Sequence, residues 1–339
     1  MLVKVGNMMR KKILLLSTGG TIASVASKNG LAPKQSGEEL LQLLGDLPYE
    51  IEVKDILQLD SSNIQPEEWQ IIADNIYKNR NNYDGIVVSH GTDTMAYTAS
   101  MLSFMLQGIS LPVILTGSQV PINVLWSDAP DNLRLAFAAA TSCHPGIYLA
   151  FDRKVMLGCR SVKVRTINFD AFESVNLPPV ATVTSDGLIF NKEVKVPHPS
   201  QESLNTKINT NVSLVKLFPG FDPNFLFAMA DSGCKGIVIE AYGLGGMTNI
   251  RRNLAATVGE LIKQGIPVVA GSQCLYERSD LTRYEVGRRA LLEGAISARD
   301  MTSESAITKL MWALGQKMDI HEIAEFFDTD VVGEVTLDE

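Results

Sequence analysis

The chain has 339 residues, 45% of them hydrophobic and 20% charged, with a formal net charge of −8. That balance argues against a nucleic-acid groove or a face for anionic membranes, since both need concentrated Lys and Arg. The length suffices for a sizeable core and two domains, and no run approaches the roughly 20 apolar residues of a membrane-spanning helix.

The first informative stretch is "KKILLLSTGGTIAS", Lys11 to Ser24, a hydrophobic strand that empties into two glycines held between threonines. The basic start and the run "ILLL" imitate a secretory leader, but the run stops at Ser17 and Thr18, too short for one. A cytoplasmic location is therefore expected. The glycines mark either a tight turn into a helix or backbone cleared for a ligand against Thr18 or Thr21. Next, "SGEE" at Ser36 to Glu39 fits a capping box. "LDSSN", Leu59 to Asn63, precedes a helix opened by Pro66, with Trp69, Ile72, Ala73, Ile76 and Tyr77 on one face.

"GIVVSHG", "LPVILTG", "GIYLAF", "GIVIEAYG" and "IPVVAGSQ" join "ILLL" as buried, mostly parallel strands, because they are rich in Val, Ile and Leu without polar alternation. "DRKVMLGCRSVKV" alternates and turns, which predicts a hairpin. From Asn191 to Asn211 the chain turns polar and reads as a linker. "DIHE" at Asp319 to Glu322 is a second capping box, and the apolar "AITKLMWALGQ" before it suits either core or interface. The expected fold is α/β: an open, mostly parallel sheet sandwiched by helices in a larger N-terminal domain (1–190), the linker (191–211) and a smaller α/β C-terminal domain (212–339).

The four cysteines, Cys143, Cys159, Cys234 and Cys274, contain no CxxC pair, and the four histidines no HExxH. Buried free thiols in a reducing compartment are expected, and neither metal nor cofactor. "TGGT" is not a dinucleotide fingerprint, which weighs against an oxidoreductase.

Three strands, "LLLSTGGT", "IVVSHGTDT" and "VILTGSQ", leave their apolar runs through Ser or Thr and Gly. Ligands of open α/β sheets bind at the carboxyl ends of strands, where such residues offer hydroxyls and bare N–H groups. Each case alone is more often a helix cap, and Thr94 fits that role. Asp93 lies at one of these corners, and Asp60, in "LDSSN", lies just before the Pro66 helix; each is able to cap a helix or to hold a cationic amine. Two acids with hydroxyls suit a zwitterionic amino acid. Lys163, in "CRSVKVRTINFDAF", is on its own a solvated side chain; desolvated in a crevice, a lysine can take a proton from a threonine hydroxyl.

"TGGTIAS" together with "HGTDTMAYTASMLSFML" resembles the bacterial-type L-asparaginases, type I cytosolic branch. "LDSSNIQPEEW", "LPVILTGSQVP", "SDAPDNLR", "FDAFES", "KGIVIEAYGLGG" and "ARDMT" follow in that family's order through nearly the whole chain. The resemblance implies cofactor-free conversion of L-asparagine to L-aspartate and ammonia by a homodimer or homotetramer. It casts Thr21 as nucleophile, Thr92, Asp93 and Lys163 as the second catalytic group, Asp60 and Ser61 as substrate-binding, and N–H groups near Thr92 as oxyanion donors.

Two positions depart from the family pattern. Leu31 stands where members commonly carry a loop tyrosine that supports the nucleophile. Glu240 stands where an allosterically regulated relative has an arginine, so an asparagine-activated switch of that kind is not expected. The competing functions are a glutaminase-leaning amidohydrolase, the amidase subunit of a tRNA-dependent amidotransferase, and a non-catalytic amino-acid sensor on the same fold. A sensor would have no need of both Thr21 and Lys163.

Overall fold

The computed structural model describes residues 10–27, 30–33, 35–197 and 201–337, and for residues 25–27 and 30–33 the backbone alone. Strand β1 (Lys12–Gly19) leads through a single 3-10 turn (Thr21–Ala23) into the hairpin β2 (Ser24–Ser27) and β3 (Gly30–Pro33). Helix α1 (Gly37–Gln42), β4 (Glu50–Leu59), α2 (Pro66–Asn79), β5 (Gly85–Ser89), α3 (Met95–Met105), β6 (Pro112–Thr116), α4 (Ala129–Ala140) and β7 (Gly146–Phe151) alternate thereafter. β8 (Lys154–Leu157), β9 (Ser161–Lys163), β10 (Phe172–Ser174), β11 (Ala181–Thr184) and β12 (Gly187–Phe190) complete the first part.

Among the described residues the large sheet runs β12-β11-β8-β7-β6-β5-β1-β4, with β4, β1, β5, β6 and β7 parallel. β5 and β6 are buried along their whole length, as continuous apolar runs covered by helices must be. The predicted hairpin joins β7 to β8 through Asp152 and Arg153, both at positive φ, which suits a tight turn between twisted strands. β4 was not among the predicted strands. It lies at the sheet edge, where Glu50, Glu52 and Lys54 alternate with half-buried residues. Both predicted capping boxes form, at Ser36–Glu39 and Asp319–Glu322, and Pro66 opens α2.

The C-terminal α/β domain comprises β13 (Val212–Lys216), α5 (Asn224–Asp231), β14 (Gly236–Ala241), α6 (Leu254–Lys263), β15 (Val268–Ser272), α7 (Glu285–Leu292), β16 (Ile296–Ser297), α8 (Ser303–Gly315) and α9 (Ile320–Phe327). Its four strands are parallel, in chain order. The "AITKLMWALGQ" helix, α8, is core: Ile307, Leu310 and Ala313 are buried, α3 packs on it, and Trp312 stacks on Phe326.

The tail after α9 folds back onto the first domain. Arg160, 1% exposed, donates through Nε to the Gly333 carbonyl at 2.6 Å and through Nη1 to Asp300 at 2.9 Å. Lys309 on α8 pairs with Glu334, both fully buried, while the Val331 and Val332 N–H groups donate to the same carboxylate. Loss of one partner in such a pair strands the other charge, at a cost of about 3–5 kcal/mol. These bonds fasten the segment carrying Lys163 to the C-terminal domain.

Candidate active site

Three chain corners meet at the carboxyl ends of β1, β4 and β5. Gly19 and Gly20 have φ of 101° and 78°, a region open to glycine but strained for other residues. Gly20 N–H donates to Leu59 O at 2.9 Å, and a Cβ on Gly20 would stand 2.4 Å from Gly91 N. A Cβ on Gly91 would likewise meet Ser61 Oγ at 2.6 Å. Small residues here permit backbone-to-backbone contact between the "TGGT", "DSSN" and "HGTDT" segments, which leaves Thr21 one residue beyond the junction.

Of the two threonines in the first motif, Thr18 is structural. It is buried, and its hydroxyl donates to Ser89 O at 2.8 Å, stitching β1 to β5. Thr21 is half-buried and opens the 3-10 turn. Among the described residues its hydroxyl bonds to no other side chain of the cluster.

The second group is fully connected. Lys163, at the end of β9, donates through Nζ to Thr92 Oγ1 at 2.8 Å and to Asp93 Oδ1 at 2.6 Å. The Thr92 hydroxyl donates to Gln119 Oε1 at 3.3 Å, and Gln119 Nε2 to Asn168 O at 3.1 Å. The Lys163 side chain is 17% exposed and that of Asp93 59%, so the lysine is sheltered while the carboxylate faces outward.

Ser61 is buried at the same corner. Its Oγ accepts from Asp93 N–H at 3.2 Å and its carbonyl accepts from Thr94 Oγ1 at 2.7 Å. Thr94 therefore occupies the N-cap position of α3 without capping it, contrary to the role its spacing suggested, because its hydroxyl reaches across to the neighbouring segment. Asp60 is exposed and caps its own 3-10 turn by accepting from Ser62 N–H at 2.9 Å. Ser62 Oγ in turn donates to Asp93 Oδ2 at 3.5 Å, linking the two acids.

Gln119 was missed by sequence reasoning. The only signal was its place two residues after the glycine in "LTGSQ", the third strand end of the same type. Asp128 holds it in place, accepting from the Gln119 and Val120 N–H groups, and burial pushes the Asp128 carboxyl above the usual range against those bonds. His90 was quoted in "SHGTDT" without a role; burial pushes its ring down to about 4, so it is neutral near pH 7.

The Leu31 side chain lies outside the described residues. Glu240 accepts from Ser303 Oγ at 2.6 Å and has Lys216 at 3.8 Å. The cysteines are free; Cys159 and Cys234 are buried as expected, but Cys143 is half-buried and Cys274 exposed, on the loop after β15. Among the described residues no group of three or more His, Cys, Asp or Glu side chains could hold a metal ion, and no helix is long and apolar enough to cross a membrane.

The family described as "Asparaginase, N-terminal" matches residues 12–196, and "Glutaminase/Asparaginase C-terminal domain" matches residues 211–327. The chain belongs to the L-asparaginase family. It is 45% identical to the L-asparaginase of Thermococcus kodakarensis over 96% of this chain and 99% of that one, and the solved structure of the thermostable enzyme superposes with a TM-score of 0.90. The structure of L-asparaginase I from Vibrio cholerae superposes with a TM-score of 0.86 at 32% identity, covering 97% of this chain and 100% of that one. A glutamyl-tRNA(Gln) amidotransferase subunit of Methanosphaera stadtmanae is 37% identical over 96% of this chain but 77% of its own length. The match of this L-asparaginase-type amidohydrolase thus spans nearly the whole of the asparaginases and about three quarters of the amidotransferase subunit.

Proposed function

We propose that this asparaginase-family chain hydrolyses L-asparagine to L-aspartate and ammonia by acyl transfer through Thr21. The observation that carries the reading is Lys163 bridging Thr92 and Asp93 beside the Gly20–Gly91 junction. A primary amide resists attack, so a hydroxyl nucleophile needs a proton acceptor, donors for the developing oxyanion and a proton for the departing nitrogen.

Thr21 Oγ1 attacks the side-chain amide carbon and the carbonyl electrons move onto oxygen. The hydroxyl proton passes to Thr92 Oγ1 as the Thr92 proton turns from Gln119 and passes to Lys163, acting as an amine base. Collapse breaks the C–N bond; the nitrogen takes that proton and leaves as ammonia. Water then adds to the ester, the bond to Thr21 breaks, and Thr21 regains its proton. Asp60 and the outward oxygen of Asp93 hold the substrate ammonium, with Ser61 setting their spacing, so orientation is fixed before the chemistry. No bound group is needed for any of these steps.

Ammonia release from L-Asn, L-Gln and D-Asn tests the reading. L-Asn is expected to lead, with kcat/KM for L-Gln lower by about 10- to 100-fold, the worth of one misplaced methylene. Release from L-Gln alone would favour the glutaminase alternative, and release from none the sensor. Because Ser303 and Lys216 already engage Glu240, the L-Asn curve should be hyperbolic; a sigmoidal curve abolished by altering Glu240 or Cys274 would count against this.

A homo-oligomer belongs to the same proposal. Leu125 and Trp126, 84% and 77% exposed, share the Gln119–Asp128 loop, and Ile167, 82% exposed, adjoins Asn168, which Gln119 grips. Such an apolar rim suits a second copy of the chain beside the site. Sedimentation velocity should show a dimer or tetramer; a monomer at micromolar concentration would refute it. A cytoplasmic location completes the reading, since the exposed free thiol of Cys274 suits a reducing compartment.

A further inference from the structure

Beneath Thr92 lies a buried polar chain that the reaction as described does not use. His90 and Thr98 are both 0% exposed, and Trp69 is 6% exposed. Trp69 Nε1 stands 3.0 Å from Thr98 Oγ1, Thr98 Oγ1 3.0 Å from His90 Nε2, and His90 Nδ1 2.7 Å from Gly91 O. The proton positions follow from the two ends. An indole N–H can only donate and a carbonyl can only accept. With a single ring proton, His90 must carry it on Nδ1 to meet the carbonyl. Nε2 is then bare and accepts the Thr98 hydroxyl, whose oxygen is left to accept from Trp69.

We infer that His90, backed by Thr98 and Trp69, is a positioning residue that sets the direction of the Gly91–Thr92 peptide and thereby aims the Thr92 N–H at the substrate oxygen. This rests on the acyl-transfer reading above and adds how its oxyanion donor is held. The described residues contain no cis peptide, so across the planar Gly91–Thr92 bond the C=O and N–H point in opposite directions. The His90 ring holds the carbonyl toward the interior, which turns the Thr92 N–H away from it. Among the described residues that N–H donates to no protein atom. A buried backbone donor without a partner is uncommon and fits one reserved for a ligand. The three side chains come from different elements, α2, α3 and the turn after β5, so the direction of one peptide depends on how those elements pack.

Two measurements test this. In the wild-type protein, nitrogen-15 spectra of selectively labelled histidine should show His90 near pH 7 as the Nδ1–H tautomer with bare Nε2; an Nε2–H tautomer would overturn the proposal without any variant. In kinetics, Thr98→Val keeps the volume but removes the hydroxyl, and should lower kcat about 10- to 100-fold with little change in KM, because the lost alignment matters most when the oxygen is charged. Thr98→Ser, which restores the hydroxyl, should recover most of the loss. Folded Thr98→Val with wild-type kcat would refute the role, as would an equal deficit in Thr98→Ser. Should Thr98→Val fail to fold, Trp69→Phe takes its place under the same criteria. The two readings fail separately: a fully active Thr21→Ala would remove the acyl-transfer scheme, whereas His90 in the wrong tautomer would remove only the relay.

Discussion

Thr21→Ala is expected to lower kcat for L-asparagine by roughly 10⁴-fold or more, while leaving the melting temperature within about 2 °C of wild type. The large kinetic effect follows from losing the atom proposed to form the ester. The small thermal effect follows from its setting, since Thr21 is half-buried and, among the described residues, its hydroxyl makes no bond to the rest of the cluster. Thr92 is the rival nucleophile, but Lys163 donates to its oxygen and its own proton is directed at Gln119. An oxygen held from both sides suits passing a proton better than leaving its partners to attack carbon. Thr21→Ser should restore part of the rate. Steady-state ammonia release beside thermal melts reads both quantities; a Thr21→Ala protein within tenfold of wild type would exclude Thr21 as nucleophile.

Lys163→Met should reduce kcat by about 10²- to 10⁴-fold, the range associated with loss of a positioned proton-transfer group. Methionine keeps most of the length and apolar volume, so the change isolates the nitrogen that sits 2.8 Å from Thr92 and 2.6 Å from Asp93. Asp93, the proposed partner of the substrate ammonium, remains, so KM should move far less than kcat. Lys163→Arg should not rescue: a planar fork cannot supply the compact donor that this sheltered, 17% exposed position accommodates. A purely structural lysine would behave differently, lowering stability through β9 while sparing kcat. That outcome, measured by the same assay with a denaturation curve, would remove Lys163 from the chemistry.

The central strands were legible because burial on both faces forces continuous apolar runs, as β5 and β6 illustrate. β4 was not, because an edge strand alternates charged and half-buried residues and resembles a solvated segment. At the candidate site, the pattern of hydroxyls and glycines after three strands pointed to the end of the sheet where Lys163 meets Thr92 and Asp93. It could not separate Thr18 from Thr21, since only the 2.8 Å bond to Ser89 O shows that one hydroxyl is committed to the scaffold. Nor could spacing show that Thr94 reaches across to Ser61 rather than capping its own helix. Gln119 and the His90–Thr98–Trp69 chain escaped for a related reason. Each depends on partners far apart in sequence, and a single glutamine or histidine carries no periodic or spacing signal of its own.

Mapping the covalent intermediate tests the central claim most directly. Wild-type enzyme is quenched in acid within milliseconds of mixing with L-asparagine, digested, and its peptides sequenced by mass spectrometry. An aspartyl ester on Thr21, absent from Thr21→Ala, is the expected result. An ester on Thr92 instead, or sustained ammonia release with neither threonine ever esterified, would contradict it.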